Sequence, residues 1–178
     1  MKQGFVKVAS ATPRIRVADP VYNAQVICEQ AKEAAEHGAK IVVFPELCIT
    51  GYTCNDLFLQ ELLLEKAKEA LLTIAEETGQ LETLFLVGLP VDKDGRLYNV
   101  AAVLYRGRIL GMIPKKNIPM YAEFYEGRHF TPGEETVTEY RLGKQVIPFG
   151  SNLLFRCEEL PELILGCELC EDLWVAEP

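Results

Sequence analysis

The sequence predicts an α/β fold in which helices pack on a mixed sheet. The first half alternates strand-like and helix-like periodicity, whereas the second half consists of consecutive strand-like segments. With 178 residues, of which 49% are hydrophobic and 25% charged, the chain can bury the core of one globular domain. It contains no internal repeat, low-complexity segment or linker, so residues 1–178 are interpreted as belonging to one domain.

The first elements form a predicted β-α-β unit. A strand is expected in GFVKVASAT, where apolar residues surround a single lysine. Asp19 followed by Pro20 predicts the start of a helix, and Gly38 predicts its end. The adjacent apolar residues of AKIVVF are typical of a strand that is buried on both faces.

A second long helix precedes the strand-rich half. We expect Asn55 or Asp56 to cap this helix and Gly79 to end it. Turn residues in DKDG and RGR then separate extended segments. The strand candidates are, in order, TLFLVGLP, YNVAAVLYRG, RILGMIPK, VTEYRL, QVIPF, LLFRC and ELILGCEL. The last candidate runs into CEDLWVAEP with no covering helix after it, so we expect the chain to be part of a larger domain.

Composition excludes several classes of partner. A formal charge of −8 and a pI near 4.9 make nucleic acid and anionic membranes poor partners. The apolar runs are far shorter than the roughly 20 residues of a membrane helix. The start MKQGFVKVAS lacks the apolar core of a secretory signal. We therefore expect a cytoplasmic protein whose six cysteines are reduced thiols.

The stretch LGCELCEDLW contains a C-x-x-C formed by Cys167 and Cys170. It could be a metal clip, a redox pair, or one working cysteine beside an unrelated neighbour. Alternation along a strand sends these two side chains to opposite faces, and the sequence has no second C-x-x-C. This pattern disfavours metal and redox chemistry. Cys170 is then either a nucleophile at a strand end or a core thiol.

A nucleophilic Cys170 needs a base and a cation, because nearby acidic residues raise the pKa of a thiol. His37 is interpreted as a cap at a helix C-terminus, and His129 lies in a polar loop. Two charged residues stand where apolar strands end, namely Glu46 after IVVFP and Lys115 after GMIP. A glutamate, a lysine and a cysteine at three strand ends form a chemically sensible set. The acidic neighbours of the thiol are Glu168, Glu171 and Asp172.

These segments resemble a known family. FPELCITGY, PKKNIP and GCELCEDLW are similar to the glutamate, lysine and cysteine motifs of the nitrilase, or carbon-nitrogen hydrolase, superfamily. The flanks GYTCNDLF and PMYAEFYEGRHFTPG resemble the N-terminal glutaminase domains of glutamine-dependent NAD(+) synthetases. The resemblance implies a nitrilase-like α-β-β-α sandwich, of which residues 1–178 form an incomplete N-terminal portion.

The resemblance also implies roles for individual residues. Cys170 would be the nucleophile, Glu46 the general base, and Lys115, rather than Lys116, the cation that stabilises an oxyanion. Aromatic walls would sandwich the aliphatic stem of a substrate, and carboxylates would hold its α-ammonium group. The residues implied to bind substrate are Tyr52, Tyr121, Glu126, Glu171 and Trp174.

By the same resemblance the activity is release of ammonia from L-glutamine. A C-terminal synthetase domain, absent from this chain, would use the ammonia for ATP-dependent amidation of nicotinic acid adenine dinucleotide. ATP and magnesium are expected only in that domain, because residues 1–178 contain no phosphate-binding loop motif. No metal or cofactor is expected in this region. A homo-oligomer is expected as well. Two alternatives remain open: a stand-alone amidase for another carboxamide, and a non-catalytic α/β interaction module.

Overall fold

The structure, a computed structural model, describes residues 4–176. Within this range two α-helices and nine strands alternate with three 3₁₀ segments. The helices are α1 (Pro20–Glu36) and α2 (Glu61–Glu77). The strands are β1 (Val8–Ser10), β2 (Ile41–Val43), β3 (Leu84–Lys93), β4 (Arg96–Tyr105), β5 (Arg108–Pro114), β6 (Thr138–Leu142), β7 (Gln145–Phe149), β8 (Phe155–Arg156) and β9 (Ile164–Leu165). The 3₁₀ segments are Tyr52–Leu59, Glu126–Arg128 and Cys170–Trp174.

The main sheet has seven strands in the order β1-β2-β3-β4-β5-β7-β6. Its first three strands are parallel, and β3, β4 and β5 continue as antiparallel neighbours. Helices α1 and α2 pack on one face over the largest apolar cluster. A smaller cluster on the opposite side joins Val103 and Ile113 to Leu169, next to the separate strand pair β8-β9. The predicted α/β architecture is confirmed.

Helix α1 begins and ends where the sequence predicts. The Asp19 side chain accepts a hydrogen bond from the Tyr22 N–H at 3.1 Å, and Pro20 is the first helical residue. Beyond the C-terminus, Gly38 has φ 83°, a left-handed conformation that favours glycine. The His37 ring places Nδ1 2.8 Å from the Glu33 carbonyl oxygen, as expected of a residue at a helix C-terminus.

The predicted start of α2 is wrong. The helix begins at Glu61, because Asn55 and Asp56 both belong to the preceding 3₁₀ segment. Asn55 has φ 49° and ψ −132°, outside the extended conformation of an N-cap residue. The Asp56 carboxylate is instead engaged by Arg128 at 2.7 and 2.9 Å and by the His129 ring at 3.0 Å. Tertiary partners therefore replace the expected helix cap.

Both predicted hairpin turns are present. Asp94 and Gly95 have φ of 52° and 74°, and Arg106 and Gly107 have φ of 48° and 76°. Positive φ at both central residues matches the right-handed twist of the flanking strands. The turns connect β3 to β4 and β4 to β5, and so build the central hairpins of the sheet.

The last predicted strand is much shorter than ELILGCEL. Only Ile164–Leu165 is a strand, and it pairs with β8 rather than with the main sheet. The following residues still alternate, since Cys167 is half-buried and Leu169 buried, whereas Glu168 and Cys170 are exposed. Cys170 therefore does not lie at the end of a strand of the main sheet. The predicted divergence of Cys167 and Cys170 is nevertheless confirmed.

The described residues also address the predictions about membrane-spanning segments and cysteines. Within residues 4–176, neither α1 nor α2 is long and apolar enough to span a membrane. All six cysteines are free thiols, three of them buried. The half-buried Cys167 packs against the Leu169 cluster, and burial raises its pKa to about 11.

Candidate active site

The loop that carries Glu46 rests directly on strand β3. It follows β2, and the Ile49 N–H donates to the Gly88 carbonyl at 3.1 Å. A Cβ atom at Gly88 would lie 2.3 Å from the Leu47 nitrogen and 2.8 Å from the Pro45 oxygen. Glycine is therefore required at position 88 because the backbone on both sides of Glu46 occupies the space of a side chain.

We expect Gly88→Ala to lower the free energy of unfolding by about 1–3 kcal/mol, because an added methyl group forces backbone to move. Gly166→Ala is a matched control, since its added Cβ would meet only the Leu154 Cδ2 at 3.5 Å. The control should stay within about 0.5 kcal/mol of the wild type. Urea unfolding followed by circular dichroism measures both values, and equal stabilities would contradict the close approach of the loop.

Lys115 is buried between two carboxylates. Its side chain is fully buried, and its Nζ lies 2.8 Å from Glu46 Oε1 and 2.7 and 2.9 Å from the two oxygens of Glu126. Burial alone would lower the pKa of this ammonium group, but its hydrogen bonds to Glu126 and Glu46 outweigh burial and raise the pKa. Lys115 is thus held as a cation inside the protein.

The neighbouring Lys116 points elsewhere. Its Nζ contacts Glu135 Oε1 at 2.9 Å at the surface. Of the two lysines, Lys115 is the one whose ammonium group contacts Glu46 at 2.8 Å, as the choice of Lys115 for the catalytic role requires.

Glu126, which the resemblance implies to bind substrate, lies against the Lys115 ammonium group. It is 5% exposed, and its Oε1 also accepts a hydrogen bond from the Tyr52 hydroxyl at 2.7 Å. Both oxygens of Glu126 are therefore engaged by other side chains of the protein. Burial and the bond to Glu126 raise the pKa of Tyr52, whose ring remains partly exposed.

Asn99 completes this group, and the sequence reasoning missed it. Its Nδ2 donates to Glu46 Oε1 at 2.7 Å and lies 3.5 Å from Glu126 Oε2. The side chain is fully buried on β4, and Asn99 directly precedes the apolar run VAAVL. A single polar residue at the start of such a run was the available signal. We call Glu46, Asn99, Lys115 and Glu126 the lysine cluster.

Cys170 lies in a strained turn between an extended residue and a 3₁₀ segment. Leu169 is extended, with φ −113° and ψ 109°, and Cys170 has φ 49°. A residue other than glycine in this region is uncommon and needs support from its surroundings. A sharp turn of this kind exposes a nucleophilic side chain at its apex.

Asp172 supplies that support, a role that the sequence reasoning did not assign to it. Its buried carboxylate accepts hydrogen bonds from the backbone N–H groups of Leu169 at 3.2 Å and Asn117 at 2.7 Å, and from Asn117 Nδ2 at 3.0 Å. The Lys116 N–H lies 3.4 Å away. One carboxylate therefore ties the Cys170 turn to the residues that directly follow Lys115.

The thiol of Cys170 lies within the electrostatic influence of the lysine cluster. Partial burial raises its pKa, the charge of Glu46 adds to the rise, and the charge of Lys115 opposes it. Within residues 4–176 no hydrogen bond joins Cys170 Sγ to Glu46 or Lys115. The structure thus brings Glu46 and Lys115 into direct contact and places Cys170 within electrostatic range of both.

Of the remaining predicted site residues, Glu171 and Trp174 belong to the same 3₁₀ segment as Cys170, and Tyr121 contacts Glu171. The Tyr121 hydroxyl donates to Glu171 Oε2 at 2.7 Å, and this bond raises the pKa of Tyr121. Tyr121 is 55% exposed and Trp174 is 76% exposed. Tyr121 and Glu171 therefore form a pair near the thiol, whereas Trp174 packs little against the described part of the chain.

This arrangement provides the groups of a nucleophilic mechanism. A thiol at an exposed turn can serve as a nucleophile, a nearby carboxylate as a base, and a buried ammonium group as a cation for developing negative charge. Such a set can attack an electrophilic carbon and stabilise the resulting oxyanion.

The profile of the carbon-nitrogen hydrolase family matches residues 7–178. A glutamine-dependent NAD(+) synthetase of Mycobacterium tuberculosis is 39% identical over 177 residues, covering 99% of this chain and 26% of the relative. The corresponding protein of Xylella fastidiosa is 34% identical, covering 98% of this chain and 29% of the relative. The chain spans about a quarter of the length of these curated relatives.

Solved structures agree with this picture. A glutamine-dependent NAD(+) synthetase from Cytophaga hutchinsonii superposes with a TM-score of 0.85 at 29% identity, covering 93% of this chain and 28% of that chain. An amidase from Nesterenkonia sp. superposes with a TM-score of 0.61 at 24% identity, covering 80% of this chain and 54% of that chain. The amidase shows the shared fold.

Proposed function

The chain belongs to the carbon-nitrogen hydrolase family, and from this premise we propose that it hydrolyses the side-chain amide of L-glutamine. The ammonia would serve the synthesis of NAD(+), as the names of its relatives suggest. The observation that carries the proposal is the buried Lys115 ammonium group between Glu46 and Glu126, beside the strained Cys170 turn. ATP-dependent amidation would belong to the part of such synthetases that this chain does not span.

In the first half of the proposed reaction, Cys170 attacks the carboxamide. Glu46 takes the thiol proton while Sγ forms a bond to the carbonyl carbon, whose π electrons move to oxygen. The tetrahedral oxyanion then collapses as Glu46 returns the proton to the leaving nitrogen. Ammonia departs, and a thioester joins the glutamyl group to Cys170.

Lys115 has a specific part in this step. At rest, its three N–H groups face one oxygen of Glu46 and two oxygens of Glu126. A developing oxyanion would take over one of the two contacts to Glu126, which keeps the other. A preorganised charged donor of this kind stabilises a transition state by a few kcal/mol, about 3 kcal/mol for one donor.

In the second half of the proposed reaction, water hydrolyses the thioester. Glu46 removes a proton from water, and the hydroxyl oxygen attacks the thioester carbon. Collapse of the second tetrahedral intermediate breaks the carbon–sulfur bond, and the proton held by Glu46 returns to the thiolate. The products are glutamate and the free enzyme.

The proposed substrate contacts lie on the exposed side of the thiol. Glu171 would bind the α-ammonium group of glutamine in place of its hydrogen bond to Tyr121. The Tyr121 and Tyr52 rings, both partly exposed, would contact the aliphatic stem. Trp174 would cover the other side of the stem. Glu126 is assigned to Lys115 and not to the substrate.

Substrate preference tests the proposed function. The protein, expressed from its complete reading frame, is assayed for ammonia release from L-glutamine, L-asparagine and butyramide. We expect kcat/KM for L-glutamine to exceed that for butyramide at least 100-fold, because butyramide lacks the α-ammonium group that glutamine carries. Faster hydrolysis of butyramide would indicate an amidase of another specificity, and no hydrolysis of any amide would indicate a non-catalytic module.

We expect Glu171→Gln to raise KM for L-glutamine by about 10- to 100-fold, because a hydrogen bond to a charged group contributes about 1.5–3 kcal/mol. The kcat should change less than threefold. Glu168→Gln, exposed on the same segment, is the matched control and should leave both constants within twofold. Steady-state kinetics on both variants decide the point, and equal KM values would remove Glu171 from the substrate site.

A further inference from the structure

We propose that Asn99 is a positioning residue that determines which oxygen of Glu46 receives the proton of Cys170. The inference rests on the proposed function, since it concerns the proton transfer that starts amide hydrolysis. It assigns the role of proton acceptor to Glu46 Oε2 and the role of holding that carboxylate in place to the Asn99 amide.

Asn99 is a cross-strand neighbour of Lys115. Its backbone carbonyl accepts the Lys115 N–H at 2.8 Å, and its side chain contacts the same glutamate as the Lys115 side chain. On its other side, Asn99 faces Pro90 of β3 in register. Backbone pairing thus fixes Asn99 and Lys115 side by side on one face of the sheet.

The two oxygens of Glu46 are not equivalent. Oε1 accepts from Asn99 Nδ2 at 2.7 Å and from Lys115 Nζ at 2.8 Å, so two donors occupy its lone pairs. Within residues 4–176, Glu46 Oε2 accepts no hydrogen bond. Oε2 therefore keeps both lone pairs available, and it is the atom that can take a proton from the thiol.

The orientation of the Asn99 amide supports this role. Its Oδ1 is buried and, among the described residues, has no hydrogen-bond partner. Reversing the amide would place Oδ1 against Glu46 Oε1 and Glu126 Oε2, where acceptor would face acceptor. With Nδ2 directed at the two carboxylates, the Asn99 amide leaves its Oδ1 without a hydrogen-bond partner. Buried polar groups without partners are rare, and this one lies where the chemistry takes place.

A neutral donor is also the suitable residue type here. A second cation would compete with Lys115 for both glutamates, and a carboxylate would add negative charge to the cluster. A neutral amide orients the Glu46 carboxylate without changing the charge that Glu46 presents to Cys170. Asn99 therefore acts through Glu46 and does not need to touch the substrate.

The test compares Asn99→Leu and Asn99→Asp with the wild type, in protein expressed from its complete reading frame. Both variants keep approximate shape and remove the donor. We expect kcat for L-glutamine to fall at least 30-fold, with KM within threefold, because substrate contacts are intact. Thr83→Val is the matched control, since Thr83 is also buried and donates one hydrogen bond, to Ala39 at 2.8 Å. It should lose stability and keep kcat within twofold.

Each outcome bears on the proposal. A folded Leu or Asp variant with kcat within threefold of the wild type overturns the role of Asn99, and so does a rise in KM without a fall in kcat. If neither variant folds, Asn99→Gln decides, because its donor is displaced by one methylene. Its kcat must fall at least tenfold, and a value within threefold overturns the role. An inactive wild type overturns the proposed function and this inference together. If the wild type is active, the Asn99 variants test the role of Asn99 separately from the proposed function.

Discussion

Cys170→Ala is expected to reduce the hydrolysis of L-glutamine by at least about 10³-fold, because the variant has no group that can form the thioester. The loss should appear in kcat and not in thermal stability. Cys170 is exposed, so its replacement removes little buried surface. Ammonia release and thermal unfolding, measured on the same preparation, separate the two effects.

Cys167→Ala is the control for this experiment. The residue belongs to the same C-x-x-C, but its thiol packs against the Leu169 cluster. We expect a loss of about 1 kcal/mol of stability with kcat within threefold of the wild type. Undiminished hydrolysis in Cys170→Ala, or a large loss in Cys167→Ala, would show that the wrong cysteine has been assigned.

Lys115→Met is expected to be the most damaging substitution in the lysine cluster. Methionine preserves much of the buried volume, but Glu46 and Glu126 then face each other without a cation. Breaking a buried ion pair by removing one partner costs about 3–5 kcal/mol. The transition state loses its charged donor as well, so kcat should fall at least 100-fold. Urea unfolding and steady-state kinetics measure the two losses.

Lys116→Met is the matched control for Lys115. Its ammonium group pairs with Glu135 at the surface, where an ion pair contributes about 0–1 kcal/mol. We expect stability within about 1 kcal/mol of the wild type and kcat within twofold. The reverse pattern, with the larger loss in Lys116→Met, would mean that the catalytic lysine is the second of the doublet.

Much of the fold could be predicted because local signals agreed with tertiary structure. Asp19 and Pro20 mark the start of α1, and the DKDG turn requires the left-handed residues that it has. The start of α2 could not be predicted in this way. Asp56 is a good cap by residue type, but Arg128 binds its carboxylate, and this partner is 72 residues away in sequence. Long-range ion pairs leave no mark on local periodicity.

Part of the candidate site could likewise be predicted from the sequence, and part could not. Glu46 and Lys115 could be placed together, because each follows an apolar strand of what proved to be one sheet. The roles of Glu126 and Asp172 could not, because they depend on loops folding back over the sheet. Glu126 was expected to meet substrate, yet it is buried with Lys115. Asp172 was interpreted as one of the acids that crowd the thiol, yet it anchors backbone N–H groups.

In the proposed reaction, the charge of the lysine cluster would also affect the release of the product. One ammonium group lies between two carboxylates, so the cluster carries one uncompensated negative charge, with Glu171 adding another nearby. Glutamine reaches this site with a neutral side-chain amide, but glutamate would leave it with a side-chain carboxylate. Two like charges at 4 Å repel by roughly 1–4 kcal/mol between water and a protein surface. In the proposed reaction the lysine cluster would thereby help to expel the acid product, and the protein would be protected from inhibition by accumulated glutamate.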